Sequence, residues 1–142
     1  MKDKLFLDTN ILVYLANEDA DNHEEVKTAF SRIMKEAELW ISTQVLREYA
    51  VVMTRTGYLK RALKPSEAVE DIEKWLKIFK IAGESPETTA ILLNLIKKYD
   101  LKGKRIHDAN IVASMIETGI KKIFTYNRAD FAIFKEIKII KN

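Results

Sequence analysis

Short β-like runs alternate along this chain with longer stretches of helical periodicity, and that alternation most constrains the fold. Leu5-Phe6-Leu7 is an apolar run of strand length closed by Asp8, and a helical stretch follows it. Between Asn22 and Glu38, Val26, Ala29, Phe30, Ile33, Met34 and Ala37 recur at spacings of three and four, which predicts an amphipathic helix. Leu39–Ser42 reads as a second strand, and Val45, Leu46, Tyr49, Val52 and Met53 place a helix after it, broken near Gly57. Pro65-Ser66-Glu67 opens the next helix, which buries Ala68, Ile72, Trp75, Leu76 and Phe79. Phe79–Ala82 is a weak third strand ended by Gly83. Ser85-Pro86-Glu87 combines an N-cap serine, a proline at the first helical position and an acid in the first turn, and this helix runs to about Tyr99. A turn at Lys102-Gly103-Lys104 leads to a helix over His107–Thr118 capped by Gly119, with strands at Ile123–Thr125 and Ile137–Ile140. Strands and helices in this order build βαβ units, hence an α/β fold with a mostly parallel sheet covered on both faces. In such sheets, sites form beyond the carboxyl ends of the strands.

The chain has 142 residues, the size of one ordinary domain, with no internal repeat or linker-like tract. One domain over 1–142 is the expectation. It has no cysteine, which rules out disulfides, thiolate ligands and a cysteine nucleophile. Its two histidines, His23 and His107, are too few for a multi-histidine zinc site. A bound metal would therefore be held mainly by oxygen, which favours Mg²⁺ or Mn²⁺. The net charge of +3 is compatible with nucleic acid and is weak evidence for it. No apolar run reaches the roughly 20 residues of a membrane span. Met1-Lys2-Asp3-Lys4 does not begin a signal peptide, so a cytoplasmic location is expected.

Four acids from four distant segments are placed to meet at one edge of the sheet. Asp8 ends the first strand; Thr9 and Asn10 beside it are candidates to orient it, and a plain helix N-cap is its alternative role. Glu48 sits one to two turns into the helix after the second strand. It borders the face carrying Val45, Tyr49 and Val52; the alternative is a solvated glutamate paired with Arg47 or Arg55. Asp108 lies at the start of a closely packing helix, where an acid also favours the helix dipole without any catalysis. Asn127 and Asp130 follow the fourth strand, where Asp130 could instead cap the short segment Phe131–Phe134. Carboxylates crowded into one crevice raise each other's pKa, and a divalent cation removes that penalty. The cation can also activate water and stabilise charge on a phosphodiester, with no need of a serine, cysteine or histidine nucleophile.

Leu7-Asp8-Thr9-Asn10-Ile11-Leu12, Glu48, His107-Asp108-Ala109-Asn110-Ile111-Val112-Ala113 and Thr125-Tyr126-Asn127-Arg128-Ala129-Asp130-Phe131, in this order, closely resemble the PIN-domain family, especially the VapC toxins of prokaryotic toxin–antitoxin pairs. The resemblance covers essentially the whole chain and is carried by the ordered set. It implies a three-layer α/β/α sandwich around a parallel sheet of about five strands in the order 3-2-1-4-5, and a Mg²⁺- or Mn²⁺-dependent endoribonuclease. Asp8, Glu48 and Asp108 match the three core acids, and Thr125 and Asn127 the polar pair that supports the site. Some members carry an acid where Asn127 stands; here Asp130, three residues on, is taken as the fourth acid and metal ligand. The resemblance further implies an RNA substrate, a homodimer and an antitoxin protein as partner.

Lys60, Arg61 and Lys64 form one basic cluster and Lys102, Lys104 and Arg105 another; they are candidates for RNA phosphates or ordinary solvated faces. Tyr126 is a better candidate for base stacking than Trp40 or Trp75, which read as core. His107 reads as a structural or surface residue rather than a general acid. Three other functions stay open. A haloacid-dehalogenase-type phosphatase also has an aspartate after its first strand, but usually a second acid where Asn10 stands. The others are a PIN nuclease of RNA processing and a non-catalytic RNA-binding module.

Overall fold

The structure, a computed structural model, describes residues 2–140. Five strands form one sheet: β1 (Asp3–Leu7), β2 (Ala37–Ser42), β3 (Lys80–Ala82), β4 (Lys122–Phe124) and β5 (Lys138–Ile139). Their order is β3-β2-β1-β4-β5, and every pairing is parallel. The helices are α1 (Thr9–Ala16), α2 (His23–Glu36), α3 (Thr43–Thr54), α4 (Pro65–Ile78), α5 (Pro86–Tyr99), α6 (Arg105–Thr118) and the four-residue α7 (Arg128–Phe131).

Chain direction puts these helices on two faces. From β1 the chain steps outward to β2 and then β3, with α1 to α4 in the crossovers; from β3 it jumps back past β1 to β4 and on to β5. Parallel crossovers are right-handed, so reversing the step moves the connecting helices to the other face. Accordingly α1 packs on α2 and α3, and α3 on α4, while α5 and α6 pack on each other. The result is the expected α/β/α arrangement. Between the layers, Phe6, Leu7, Ile11, Leu12, Ile41, Tyr49, Val112, Met115, Ile123 and Phe124 are almost fully excluded from solvent. β1 and β4 are neighbours whose onward connections run in opposite directions, so a crevice opens beyond their carboxyl ends.

The expected elements are present, with shifts of one or two residues. The helix expected to Glu38 stops at Glu36, because Ala37 and Glu38 join β2 and pair with Asp3 and Lys4 of β1. Met34 and Leu76, expected in the core, are 45% and 49% exposed, for each sits at the margin of its helix's apolar stripe. Trp40 and Trp75 are only partly buried. The helix expected from His107 begins at Arg105, its first turn closed by Ile106 N–H to the Gly103 carbonyl and His107 N–H to that of Lys104. Gly119 ends it at φ 76°, a left-handed conformation that glycine adopts without strain. The fourth strand is displaced by one residue, ending at Phe124, so Thr125 stands just beyond the ladder.

Candidate functional site

Asp8 is the last residue before α1 and caps it: its Oδ1 accepts from the Thr9 backbone N–H at 2.8 Å. Its other oxygen, Oδ2, accepts from the Thr125 hydroxyl at 2.8 Å. The capping role and the site role therefore coexist on one side chain. Asp8 reaches this position because the chain leaves β1 beside β4, with the Asp8 N–H bonded to the Phe124 carbonyl at 3.1 Å. The Thr125 hydroxyl is saturated, since it also accepts from the Asn127 N–H at 2.9 Å and from the Asn10 amide at 3.4 Å. Thr9, Asn10, Thr125 and Asn127 thus sit around Asp8, Asn127 through its backbone.

Glu48 is held by α1 and α3 together. One oxygen accepts from the Thr9 hydroxyl at 3.0 Å and the other from the Gln44 amide at 3.3 Å. The alternative pairing with Arg47 or Arg55 is not what forms: Arg47 binds Glu84 at 3.2 Å, and Arg55 stacks on Tyr58. Asp108, in the first turn of α6, is partly buried, and Asn110 one turn in donates to Gln44 at 2.7 Å. Asp8, Glu48, Asp108 and Asn127 line one cleft of about 590 Å³, walled further by Tyr14, Arg55, Tyr58 and His107.

Asp130 is placed differently. It is an exposed residue inside α7 rather than the cap of a later segment, and it stands outside the lining of the cleft. It is still close enough for its charge to act on Asp8 and Asp108.

The electrostatics record this crowding. The Asp8 carboxyl, 5% exposed, is pushed from its ordinary 3.8 to about 6. Burial does most of this; the Thr125 and Thr9 hydrogen bonds oppose it, and the charges of Glu48 and Asp130 add to it. Asp108 is also pushed to about 6, first by burial and then by Asp130, Asp8 and Glu48, with Arg105 opposing. Acids from four segments therefore act on one another across one crevice.

The donor chemistry fits a hard divalent cation. The acids are oxygen donors short of positive partners, and the buried Oδ1 of Asn10 has no hydrogen-bond partner among the described residues. Among the described residues, no three acidic or histidine side chains are gathered tightly enough to enclose an ion as they stand. Enclosing one requires side-chain rotation; Glu48 is held at both oxygens, the weaker bond being the 3.3 Å one from Gln44.

Sequence reasoning missed Gln44. It is 2% exposed and binds Glu48, the His107 carbonyl and Asn110. The available signal was an amide four residues before Glu48, on the same helix face as that acid. The basic cluster of Lys60, Arg61 and Lys64 is largely committed elsewhere: Lys60 pairs with Asp19, Arg61 with Glu67, and Lys64 stands at the N-cap of α4. Tyr126 packs edge-on against Tyr14 beside the cleft.

Comparison with known proteins places this geometry. The fold matches VapBC2 from Rickettsia felis, solved with a promoter DNA fragment, at a TM-score of 0.71 and 19% identity, covering 96% of this chain and 97% of that one. It matches Mycobacterium tuberculosis VapC20, described as a sarcin–ricin loop cleaving toxin, at 0.71 and 18%, covering 94% and 98%. It matches a toxin–antitoxin complex from Klebsiella pneumoniae at 0.68 and 23%, covering 96% of each chain. A search of curated protein sequences finds no match. The PIN domain profile matches residues 5–138, so the whole sheet except the first residues of β1 and the last of β5, together with every acid of the cleft, lies inside it: the chain belongs to the PIN-domain family.

Proposed function

We propose that this protein is a divalent-cation-dependent endoribonuclease, the toxin of a type II toxin–antitoxin pair, built as one PIN domain over its whole length. The observation that carries the reading is the pair Asp8 and Asp108. Both are raised to about 6 by burial and by the acids around them, in a cleft beyond the carboxyl ends of β1 and β4. Carboxyls held in that condition favour whatever neutralises them, a proton or a cation. In this reading Asp8, Glu48 and Asp108 hold Mg²⁺ or Mn²⁺. Asp130 contributes charge from the rim, and Asn127 takes the position nearest the cleft on that side. When bound, the cation supplies the charge neutralisation that phosphodiester hydrolysis needs. Thr125 and Thr9 orient Asp8, and Thr9 also orients Glu48, each by a hydrogen bond already formed.

The neighbours support an antitoxin partner and a nuclease toxin's role: one is described as a sarcin–ricin loop cleaving toxin and another was solved as a toxin–antitoxin complex; RNA is the substrate in this reading. A homodimer is part of the same reading. No helix among the described residues is long and apolar enough to cross a membrane.

The test is cleavage of a structured RNA by purified protein with Mg²⁺, Mn²⁺ or EDTA. Cation-dependent internal cuts that vanish in Asp8→Asn and Asp108→Asn support the reading. Cleavage that survives both substitutions overturns the assigned site. Growth arrest on expression, relieved by an adjacent small gene product, supports the toxin role; harmless expression of an active nuclease points to RNA processing instead.

A further inference from the structure

We propose that Gln44 is the positioning residue of this site: a buried amide that ties the Glu48 carboxylate to the first turn of α6, so that Glu48 and Asp108 are presented to one cation together. This rests on the metal-site reading above and adds the device that organises it.

Gln44 lies in the first turn of α3 and is 2% exposed. Its Nε2 donates to the His107 carbonyl at 2.9 Å and to Glu48 Oε2 at 3.3 Å, and its Oε1 accepts from Asn110 Nδ2 at 2.7 Å. The orientation of the amide is dictated by chemistry. The His107 carbonyl can only accept, so it must face the nitrogen, whose second hydrogen then serves the Glu48 carboxyl oxygen. The oxygen is then left for Asn110, which must present its own nitrogen. Both N–H groups and the oxygen of the Gln44 amide are thereby used, and a flipped amide would set two acceptors against an acceptor.

Two features separate this from ordinary core satisfaction. The two bonds to α6 are the short ones, so Gln44 is anchored to the helix that carries Asp108 and holds Glu48 more loosely. Glu48 is gripped from its other side by Thr9, the residue after Asp8. One chain of hydrogen bonds thus links the first turns of α1, α3 and α6, the three elements that bring Asp8, Glu48 and Asp108 to the cleft. A glutamate side chain free of such support has many rotamers to lose on binding an ion; one held on both oxygens has few, and a single long bond to release.

The experiment is a Mn²⁺ titration of the purified full chain, followed by electron paramagnetic resonance and calorimetry, on wild type, Gln44→Met, Glu48→Gln and the double variant. Gln44→Met keeps the volume and removes every polar bond. It is expected to weaken Mn²⁺ binding about tenfold, in the range for lost hydrogen-bonded support of a ligand. In the Glu48→Gln background the same change is expected to have no further effect, because Gln44 acts through Glu48. Equal binding by Gln44→Met and wild type overturns the proposal, as does an equal loss in both backgrounds, which would mean general loosening of the fold. If Gln44→Met does not fold, Asn110→Ala decides: it removes the shorter of the two bonds that anchor Gln44 to α6 and is expected to weaken binding severalfold, and unchanged binding overturns the proposal. Failure of wild type to bind Mn²⁺ at all overturns the metal-site reading itself, an outcome distinct from the others.

Discussion

Two groups of acids in this molecule have opposite fates. On the flank formed by α5 and α6, Glu117 accepts from the hydroxyls of Ser85 and Thr88, and these bonds hold its carboxyl below the usual range. Glu136 behaves alike: burial pushes it up, but Lys98 and the Tyr99 hydroxyl more than offset this. In the cleft, Asp8 and Asp108 are pushed the other way, to about 6, although Asp8 accepts two hydrogen bonds. The difference lies in the partners. Flank acids meet donors and cations of the protein; cleft acids meet burial and one another. Carboxylates whose charge the protein answers help hold the fold together; in the proposed reading, those left unanswered are the ones a bound cation would neutralise.

The contrast is broken most severely by removing one charge from each group. Asp8→Asn or Asp108→Asn is expected to lower cation-dependent RNA cleavage by on the order of 10³-fold, the scale on which lost electrostatic stabilisation appears in rate. Glu117→Gln, at the α5–α6 flank, is expected to leave the cleavage rate within about twofold, a change too small to register as lost transition-state stabilisation, and to lower the melting temperature. A quantitative gel assay beside a thermal melt reads both. Comparable rate losses in the two groups would mean that the cleft is not special.

Proton linkage gives the next largest contrast. A carboxyl moved from 3.8 to about 6 carries about 3 kcal/mol of preference for its protonated form. Its folded pKa is raised, so that stability is fully present below the unfolded value and is lost as pH rises through about 6. Metal-free Asp8→Asn is therefore expected to be more stable than metal-free wild type by about 2–3 kcal/mol at pH 7.5, with the advantage gone below about pH 4. Glu117 has a lowered pKa, so its contribution is present above the unfolded value and is lost as pH falls; Glu117→Gln should destabilise at pH 7.5 and lose that effect in acid. Urea melts at the two pH values test both signs. With Mn²⁺ at about 100 times the dissociation constant it has at pH 7.5, wild type should gain about 2.7 kcal/mol there, and at that same concentration the gain should shrink as pH falls through about 6, since the ion competes with protons for Asp8 and Asp108. A Mn²⁺ effect independent of pH would place the ion elsewhere.

How much of this was legible in the sequence follows the same division. The alternation of short apolar runs and helical stripes yields the parallel sheet with two helical layers, because those periods are local. Asp8 and Asp108 are visible for a similar reason, each sitting at a junction between elements where strand order places a crevice. Element ends were misplaced where tertiary pairing decides: Ala37 and Glu38 follow β1 into the sheet rather than α2 into another turn. Gln44 was legible only as an amide one turn before Glu48; its role is set by partners at 107 and 110, and nothing near it in sequence shows that α6 will cross there. Arg47 and Arg55 looked like partners for Glu48 by spacing alone, yet they pair with Glu84 and Tyr58 instead.

The smallest effect belongs to the residue that sits between the two groups. Asp130 is exposed like Glu117, but its charge falls on Asp8 and Asp108. If it acts only as charge from the rim, solvent and salt screen it, and Asp130→Asn should weaken Mn²⁺ binding a few-fold at low ionic strength and hardly at all near 0.5 M salt, where the screening length is only about 4–5 Å. If it swings in to touch the ion, the loss should be tenfold or more and persist in salt, as for a lost ligand. Asn127→Ala should show the reverse pattern, since Asn127 lines the cleft and carries no charge to be screened. Mn²⁺ titrations of both variants at two salt concentrations separate the cases. A salt-resistant loss in Asp130→Asn would move Asp130 into the cleft group; a salt-sensitive one leaves three acids on the ion and a fourth that raises the field around them.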